Sequence, residues 1–431
     1  MGRKVKVLGS LIAAFLLLVG AALFWVTYAP ALDPMEPGSQ EFSHDEIRRG
    51  ELLALVGACS ACHSAEGGAP LAGGLGLPTP FGTIYSTNIT PDPETGIGRW
   101  SFTAFARSMR EGLDREGRHL YPAFPYDSFS KSTDEDLRAI YAWLMSQPPV
   151  VAESTPNELP FPFSFRPVLA GWKLLFLDGT PYAHDPALDE EQNRGAYLAQ
   201  SLGHCGACHT PRNRFGAMIV DRLFEGGDAE GWLAPPLGGH SIAPVAWTLD
   251  DYADYLFDGW SEEHGIAAGP MATVADQLHD ADEDDVFAIA AWLESITPEQ
   301  SEADRNDALS FAKARDWPQT KGALPDEEIT DPVLSAGRDV FAARCAKCHK
   351  ERIAKAQAIS LGLTHAINAP SPKNLLNVVR DGIAPPLGVP DRKMEAIALT
   401  DEELSNVAAY VRWHFTDRPP WKDLERAAAA H

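Results

Sequence analysis

The pattern Cys-x-x-Cys-His occurs three times in this chain and uses all six of its cysteines. Two thiols one helical turn apart can each form a thioether to a haem vinyl group, and the adjacent histidine then lies under the iron as an axial ligand. The pattern therefore predicts three covalently bound c-type haems. The predicted attachment and proximal residues are Cys59, Cys62 and His63; Cys205, Cys208 and His209; and Cys345, Cys348 and His349.

One such pair alone would be equally typical of a redox disulfide or of half a zinc site. A zinc site needs its ligands within a few tens of residues, whereas these copies lie well over a hundred residues apart. Thioredoxin-like motifs follow a buried strand, and no β-branched run precedes these cysteines. A histidine after every pair favours haem over both alternatives.

Length and charge narrow the class of protein. At 431 residues the chain is long enough for three domains of ordinary size, and the motifs divide it into near-equal parts. The formal net charge is −24, and haem propionates would make it more negative. Because phosphate binding needs a basic face, the sequence argues against nucleic acid as a partner.

The N-terminal segment has the features of an export signal. Arg3, Lys4 and Lys6 precede an uncharged run from 7 to 29, which exceeds both the roughly 7 to 15 residues of a cleaved signal and the roughly 20 that span a bilayer. Cleavage near Ala29 and Ala31 is the alternative. Since basic residues stay in the cytoplasm, the sequence predicts a signal-anchor transmembrane helix over 1–30, a location in the cytoplasmic (inner) membrane, and haem domains that face the periplasm.

Each haem motif lies in a unit that opens and closes with a predicted helix. The opening helices carry a glycine eight to ten residues before the first cysteine, and because glycine inside a helix costs about 1 kcal/mol, its recurrence indicates close packing by another element. The closing helices begin with carboxylates, which complement the helix dipole. An aromatic on each closing helix is predicted to pack over the glycine of the opening one: Trp143 over Gly50, Trp292 over Gly195, and Tyr410 over Gly337.

This periodicity predicts three small helical units joined by two connectors. The first connector is rich in proline and aromatic residues; it is too apolar for a free linker and is predicted to lie against the haem domains or a partner subunit. The second connector is charged and is predicted to be a solvated strap. The predicted bounds are 31–146 for domain 1, 147–184 for the first connector, 185–297 for domain 2, 298–330 for the second connector and 331–431 for domain 3.

A haem that only passes electrons is best kept six-coordinate, and a methionine thioether opposite the histidine raises its potential. Met271 and Met394 lie on predicted loops between their haem motif and the closing helix. Both are predicted to be sixth ligands, although an isolated methionine also fills gaps in apolar cores.

The first unit lacks an equivalent methionine. The same spacing leads to Phe124, which cannot coordinate iron, while Met109 and Met145 fall in predicted helices. The nearest alternative donor is His119, whose other interpretation is a histidine hydrogen-bonded at the haem edge. The first haem is therefore predicted to be either bis-histidine through His119 or five-coordinate, and to differ spectroscopically from the other two.

Several motifs extend the comparison beyond the haem sites. They are Thr87-Asn88-Ile89-Thr90-Pro91-Asp92, His204-Cys205 with Thr210-Pro211-Arg212-Asn213, and Ala268-Gly269-Pro270-Met271. With them, the chain resembles the membrane-bound triheme cytochrome c subunits of bacterial dehydrogenases, including quinoprotein alcohol, gluconate and fructose dehydrogenases. The resemblance implies a mainly α protein with three tandem class I cytochrome c-like domains after the N-terminal transmembrane helix.

Other motifs separate the branches of that family. The loop Tyr121-Pro122-Ala123-Phe124-Pro125-Tyr126 and the run from His264 to Ala268 look more like the cytochrome subunits that serve molybdenum hydroxylases such as nicotinate, isoquinoline and some aldehyde dehydrogenases. The implied partners are a catalytic subunit with molybdenum cofactor and a 2Fe-2S cluster, then membrane quinone or a terminal oxidase.

No catalytic residue is predicted in the chain itself, because it contains neither a glycine-rich dinucleotide loop nor a nucleophile motif. The first alternative is the cytochrome subunit of a PQQ or flavin alcohol or sugar dehydrogenase. The second is a haem peroxidase-like enzyme that uses an open first haem. The third is a freestanding periplasmic electron carrier.

Overall fold

The computed structural model describes residues 27–316, 329–349 and 359–430. These residues are mainly helical, as predicted. They form two compact units: the first extends to Tyr182 and includes 214–217, and the second contains the remainder. The second and third haem motifs therefore lie in one unit, and the three-domain boundaries stay a prediction.

The first unit consists of short helices and one hairpin around the first haem motif. The hairpin pairs its two strands antiparallel, with Gly76 opposite Tyr85. The elements are α1 (His44–Val56), α2 (Cys59–His63), β1 (Gly76–Thr79), β2 (Gly82–Tyr85), α3 (Phe102–Glu111), α4 (Tyr126–Phe129), α5 (Asp134–Ser146) and α6 (Val168–Phe176).

The second unit holds the other two repeats. Its first part comprises α7 (Glu190–Gln200), α8 (Gly206–His209), β3 (Gly227–Ala229), β4 (Trp232–Ala234), α9 (Leu249–Asp258), β5 (Trp260–Ser261), β6 (Gly265–Ile266), α10 (Pro270–His279), α11 (Glu283–Ser295) and α12 (Glu302–Ala314). Its second part comprises α13 (Pro332–Val340), a π-helical turn (Phe341–Cys345), α14 (His365–Asn368), α15 (Lys373–Asp381), α16 (Asp401–Phe415) and α17 (Leu424–Ala429).

Side-chain caps begin the closing helices where the acidic runs predicted them. Thr133, Asp282 and Thr400 each accept a hydrogen bond from a backbone N–H in the first turn of α5, α11 and α16. Each of these first turns carries three acidic residues. Such a cap contributes about 1 kcal/mol, and the carboxylates complement the N-terminal end of the helix dipole.

The glycine of each opening helix lies directly on the closing helix, and the predicted aromatic is among the nearest contacts at Gly50 and Gly337. A Cβ added at Gly50 would lie 1.9 Å from the carbonyl oxygen of Ala139 and 2.9 Å from Trp143 Cβ. At Gly337 the same atom would lie 2.8 Å from Tyr410 Cβ, and at Gly195 it would lie 1.8 Å from the carbonyl oxygen of Ala288. Only glycine permits these helices to approach so closely.

A partly buried ion pair accompanies this contact in the first two repeats. Arg49 Nη2 lies 2.6 Å from Asp136 Oδ1, whose carboxylate is almost fully buried. Arg194 binds Asp285 through two N–H groups at 2.7 and 2.8 Å. Because each arginine directly precedes the packing glycine, the pair fixes the register of the two helices. In the third repeat, Arg338 follows the glycine and pairs with its neighbour Asp339.

Substituting Gly50 with alanine should destabilise the first unit by about 1 to 3 kcal/mol, the usual cost of overpacking a core. Gly171 in α6 provides the control, because nothing lies within 4 Å of a Cβ added there. Gly171→Ala should stabilise the unit by about 0.5 to 1 kcal/mol, since alanine loses less backbone entropy in a helix. Denaturant unfolding of the holoprotein measures both, and a Gly50→Ala variant as stable as the parent would contradict the close packing.

The first connector lies against the first repeat. Glu158 pairs with Thr83 in a β-bridge, Arg166 Nη1 donates to the carbonyl of His119 at 2.8 Å, and Lys173 Nζ donates to the carbonyl of Glu111 at 2.7 Å. The described part of the second connector, 298–316, is mostly exposed. It carries α12, where Ala312 is buried in a cluster with Val245 and Leu363.

The prediction of an inner-membrane location is corrected. Within residues 27–316, 329–349 and 359–430, no helix combines the length and the apolar character that crossing a bilayer requires. The predicted anchor over 1–30 lies, up to residue 26, outside the described residues.

Candidate functional site

The cysteines and the histidine of each motif share one turn of backbone. In the first two repeats this turn is α2 and α8, respectively. The residue before the first cysteine has a left-handed backbone conformation, with φ of 47° at Ala58 and 37° at His204. Positive φ is uncommon outside glycine. Its recurrence directly before the first cysteine indicates that the backbone enters both motifs in the same conformation. In the third repeat a π-helical turn leads into Cys345 instead.

Two of the three motif histidines are oriented by a backbone carbonyl. His63 Nδ1 donates to the carbonyl of Thr87 at 2.7 Å, and His209 Nδ1 donates to the carbonyl of Pro235 at 2.7 Å. A hydrogen bond at Nδ1 fixes the tautomer and leaves the Nε2 lone pair for a metal, as is usual for metal-ligating histidines. His349 Nδ1 is buried and has no hydrogen-bond partner in the described part of the chain.

Burial dominates the electrostatic environment of the first cysteine of each motif. Burial raises the pKa of Cys59 and Cys205 to about 12, and that of Cys345 to about 11. Reactive or zinc-binding cysteines instead need a lowered pKa. Burial also lowers the pKa of His63, His209 and His349, which keeps each imidazole neutral.

These observations fit a haem at each motif. All six cysteines are free of disulfides, and each pair lies beside a neutral histidine. In the first two repeats the histidine presents Nε2 as its available nitrogen. The carbonyl partners Thr87 and Pro235 were not found from the sequence, because they act through the main chain and any residue type can supply them.

The backbone register places Phe124 where the second repeat has Met271. Gly112 caps the C-terminal end of α3, and Gly259 caps that of α9. Both glycines have a left-handed backbone conformation. Leu120 N donates to Gly112 O at 2.8 Å, and Ala267 N donates to Gly259 O at 2.9 Å. Counting four residues on from each donor reaches Phe124 and Met271. The ring of Phe124 lies 5.3 Å from that of Phe129.

Met394 occupies a different register. It pairs with Ile383, the residue after the glycine that ends α15, through hydrogen bonds of 2.7 and 3.0 Å. In the first repeat the corresponding bridge joins Leu113 to His119, so His119 and Met394 stand at matching positions. The side chain of Met394 is partly buried and packs against the third repeat's core.

His119 already has a partner for one ring nitrogen. Its Nε2 lies 3.0 Å from the carbonyl oxygen of Thr27, while its Nδ1 is buried without a hydrogen bond. Burial lowers its pKa, so the ring is neutral. Ligation through Nε2 would require that this bond be given up, and the sixth ligand of the first haem stays a prediction.

One histidine near these sites was not singled out from the sequence. The Nε2 atom of His365, in α14 of the third repeat, is buried and has no hydrogen-bond partner among the described residues. Burial, followed by the proximity of His209, lowers its pKa to about 4. This residue therefore brings a neutral imidazole of the third repeat close to the proximal ligand of the second.

Asp251, Glu263 and His264 form the group of potential metal ligands found within the described residues. Asp251 accepts hydrogen bonds from Thr248 and Ser261, and Arg305 Nη2 lies 2.5 Å from Glu263 Oε2. An arginine thus supplies the positive charge that an ion would bring. We interpret the group as an ion-pair network that holds the β5–β6 hairpin.

Comparison with known families matches two parts of the chain. Residues 47–148 match the family described as cytochrome c. Residues 332–411 match the family described as cytochrome c oxidase, cbb3-type, subunit III.

Individual relatives extend over most of the chain. It is 42% identical to a subunit of the nicotinate dehydrogenase of Pseudomonas putida over 98% of its own length, but spans only 34% of that protein. It is 34% identical to the fructose dehydrogenase cytochrome subunit of Gluconobacter japonicus, covering 89% of this chain and 82% of that one. It is 35% identical to the gluconate 2-dehydrogenase cytochrome c subunit of Pantoea cypripedii, covering 85% of each.

Proposed function

Because the chain belongs to the cytochrome c subunits of bacterial dehydrogenases, we propose that it relays electrons from a catalytic subunit through three covalently attached haems. The observation that carries the proposal is the repeated proximal geometry, in which His63 and His209 each donate from Nδ1 to a backbone carbonyl at 2.7 Å. The third copy has the same Cys-x-x-Cys-His residues at Cys345, Cys348 and His349.

The residues of the chain act by attachment and orientation. When bound, haem supplies a one-electron couple whose potential depends on its axial ligand, burial and nearby charge. The six cysteines would tether the haems, the three histidines would be the proximal ligands, and Met271 and Met394 would be the distal ligands of the second and third haems. The carbonyls of Thr87 and Pro235 hold the first two imidazoles in one tautomer.

The proposed partner is a dehydrogenase subunit with a molybdenum cofactor, working with a 2Fe-2S subunit. The 42% identity to a nicotinate dehydrogenase subunit supports this choice, as does the loop that carries Phe124 in place of methionine. Electrons then pass to a quinone or a terminal oxidase. The net charge of −24 favours a partner surface with complementary basic residues.

Purification of the tagged chain from its native host, followed by metal and cofactor analysis, tests the partner. Molybdenum together with iron in excess of haem iron is the expected result. Bound PQQ or flavin in their place would assign the chain to alcohol or sugar dehydrogenases. A chain recovered without any dehydrogenase subunit would overturn the proposal and favour a freestanding electron carrier.

The first site supports a second candidate function, because Phe124 stands in the register of Met271. An open iron there would allow peroxide or carbon monoxide to bind, as in a haem peroxidase. Rapid peroxide turnover by the isolated protein would favour that enzyme. Slow reaction with both ligands is the result expected for a relay.

Phe124→Met should supply the missing thioether and raise the potential of the first haem, because methionine ligation favours the reduced state. The expected result is a stronger sulfur-to-iron charge-transfer band in the near-infrared absorption spectrum of the ferric protein. Phe129→Met, on the neighbouring ring, is the matched control and should leave that band unchanged. An unchanged band in Phe124→Met as well would mean that residue 124 does not face the iron.

A further inference from the structure

The β3–β4 hairpin contacts both loops that serve the second haem site. Its turn is formed by Glu230 and Gly231, both with positive φ, which matches the twist of a tight two-residue hairpin. The strand β4 begins at Trp232 and leads to Pro235, whose carbonyl accepts the hydrogen bond from His209 Nδ1 at 2.7 Å. The hairpin therefore fixes the proximal histidine directly.

Trp232 contacts the loop on the methionine side. A Cβ added at Gly269 would lie 2.4 Å from the indole ring, so the ring rests on the bare backbone of that glycine. Gly269 has φ 57° and ψ −139° and caps α10, whose first two residues are Pro270 and Met271. This backbone conformation is open essentially to glycine alone, and the indole covers the side on which any other residue would place its Cβ.

The hairpin is anchored in turn by α15 of the third repeat. Asn374 donates from Nδ2 to the carbonyl of Leu233 and accepts from its N–H, both at 2.8 Å. Asn377 donates to the carbonyl of Gly231 at 3.2 Å, and Lys373 Nζ pairs with Asp228. Leu233 follows Trp232 directly, so the third repeat fixes the strand from which the indole projects.

The equivalent strand of the first repeat is also held by an asparagine side chain, but this asparagine comes from a different segment of the chain. Tyr85 N donates to Asn157 Oδ1 at 2.9 Å. Tyr85 precedes Thr87, whose carbonyl accepts from His63 Nδ1, by two residues, as Leu233 precedes Pro235. An asparagine side chain thus accepts a hydrogen bond from the equivalent strand in both repeats. It belongs to the first connector in the first repeat and to the third repeat in the second.

We propose that Trp232 is a positioning residue that holds the Gly269–Met271 turn against the second haem, and that Asn374 of the third repeat holds Trp232 in place. The inference rests on the proposed ligation of that haem by Met271. Through this chain of contacts, the potential of the second haem depends on the docking of the third repeat.

The test compares Trp232→Ala, Trp232→Phe and Asn374→Ala in the full-length holoprotein, with Met271→Leu as reference. The readouts are the sulfur-to-iron band of the ferric protein and a spectroelectrochemical titration. Trp232→Ala should weaken the part of the band that Met271→Leu abolishes and shift the second haem to lower potential. Trp232→Phe should restore most of both signals, and Asn374→Ala should shift them in the same direction by less.

Two results would overturn the inference and still leave the proposed ligation of the second haem by Met271 intact. If Met271→Leu abolishes part of the band but Trp232→Ala lowers only the melting temperature, Trp232 has a structural role alone. If Asn374→Ala leaves the potential of the second haem unchanged, the third repeat is not coupled to it. If Met271→Leu itself changes neither signal, the proposed ligation is wrong. Trp413→Phe in α16 controls for loss of an indole elsewhere.

Discussion

Replacing both Cys205 and Cys208 with serine should lower the haem content from the proposed three per chain to two and stop electron transfer through the chain. Serine cannot form the thioether, so only the reversible coordinate bonds of His209 and Met271 would hold the haem. The second unit should also lose stability, because a covalent ligand that binds only the folded state no longer contributes. Pyridine haemochrome assay and intact mass measure the stoichiometry, and thermal unfolding measures the stability.

The matched variant replaces Cys59 and Cys62 in the first repeat. It should also remove one haem, but it should leave the sulfur-to-iron band intact, since Phe124 offers no sulfur at the first site. The two double variants therefore separate a haem with methionine from one without. An unchanged haem stoichiometry in either variant would refute covalent attachment at that motif.

The features that could be predicted are those encoded within a few residues of one another. The three Cys-x-x-Cys-His motifs place their ligands on one turn whatever the rest of the chain does. Gly50 and Gly337 were predicted to meet the closing helices because glycine inside a helix is costly without a packing reason. The carboxylates that begin α5, α11 and α16 predicted where those helices start.

The features that could not be predicted depend on the main chain or on distant residues. Thr87 and Pro235 hold the proximal histidines through carbonyl oxygens, which every residue possesses. Asn374 is 141 residues from Leu233, and no local pattern relates an asparagine on one repeat to a strand on another. His119 looked like a candidate ligand by proximity in sequence, whereas its bond to the carbonyl of Thr27 depends on where the N-terminal segment lies.

The first connector shows the limit of composition. Its apolar residues predicted that it would lie against another surface, and it does contact the first repeat. The contacts, however, include cations and main-chain groups of Arg166, Lys173 and Glu158. Phe161 and Leu175 stay 83% and 74% exposed. Composition indicates that a segment is apolar, but the face that becomes buried depends on which polar groups find partners.

Met271→Leu and Met394→Leu should each lower the potential of one haem, by on the order of 100 mV within the roughly 0.8 V range that axial ligands set. Leucine keeps the volume, so the stability cost should stay below about 1.5 kcal/mol. Met109→Leu in α3 is the control, because that methionine is buried in the first repeat's core. Its spectrum should not change.

The double variant Met271→Leu/Met394→Leu decides how many sulfur-ligated haems the chain contains. Because Phe124 replaces methionine in the first repeat, this variant should lack the sulfur-to-iron band altogether, whereas each single variant should retain part of it. A residual band in the double variant would require a third sulfur ligand near the first haem and would contradict the proposal that Phe124 takes the place of a methionine ligand there. Near-infrared absorption of the ferric protein gives that answer without any partner subunit, because the band reports the ligand and not the electron flow.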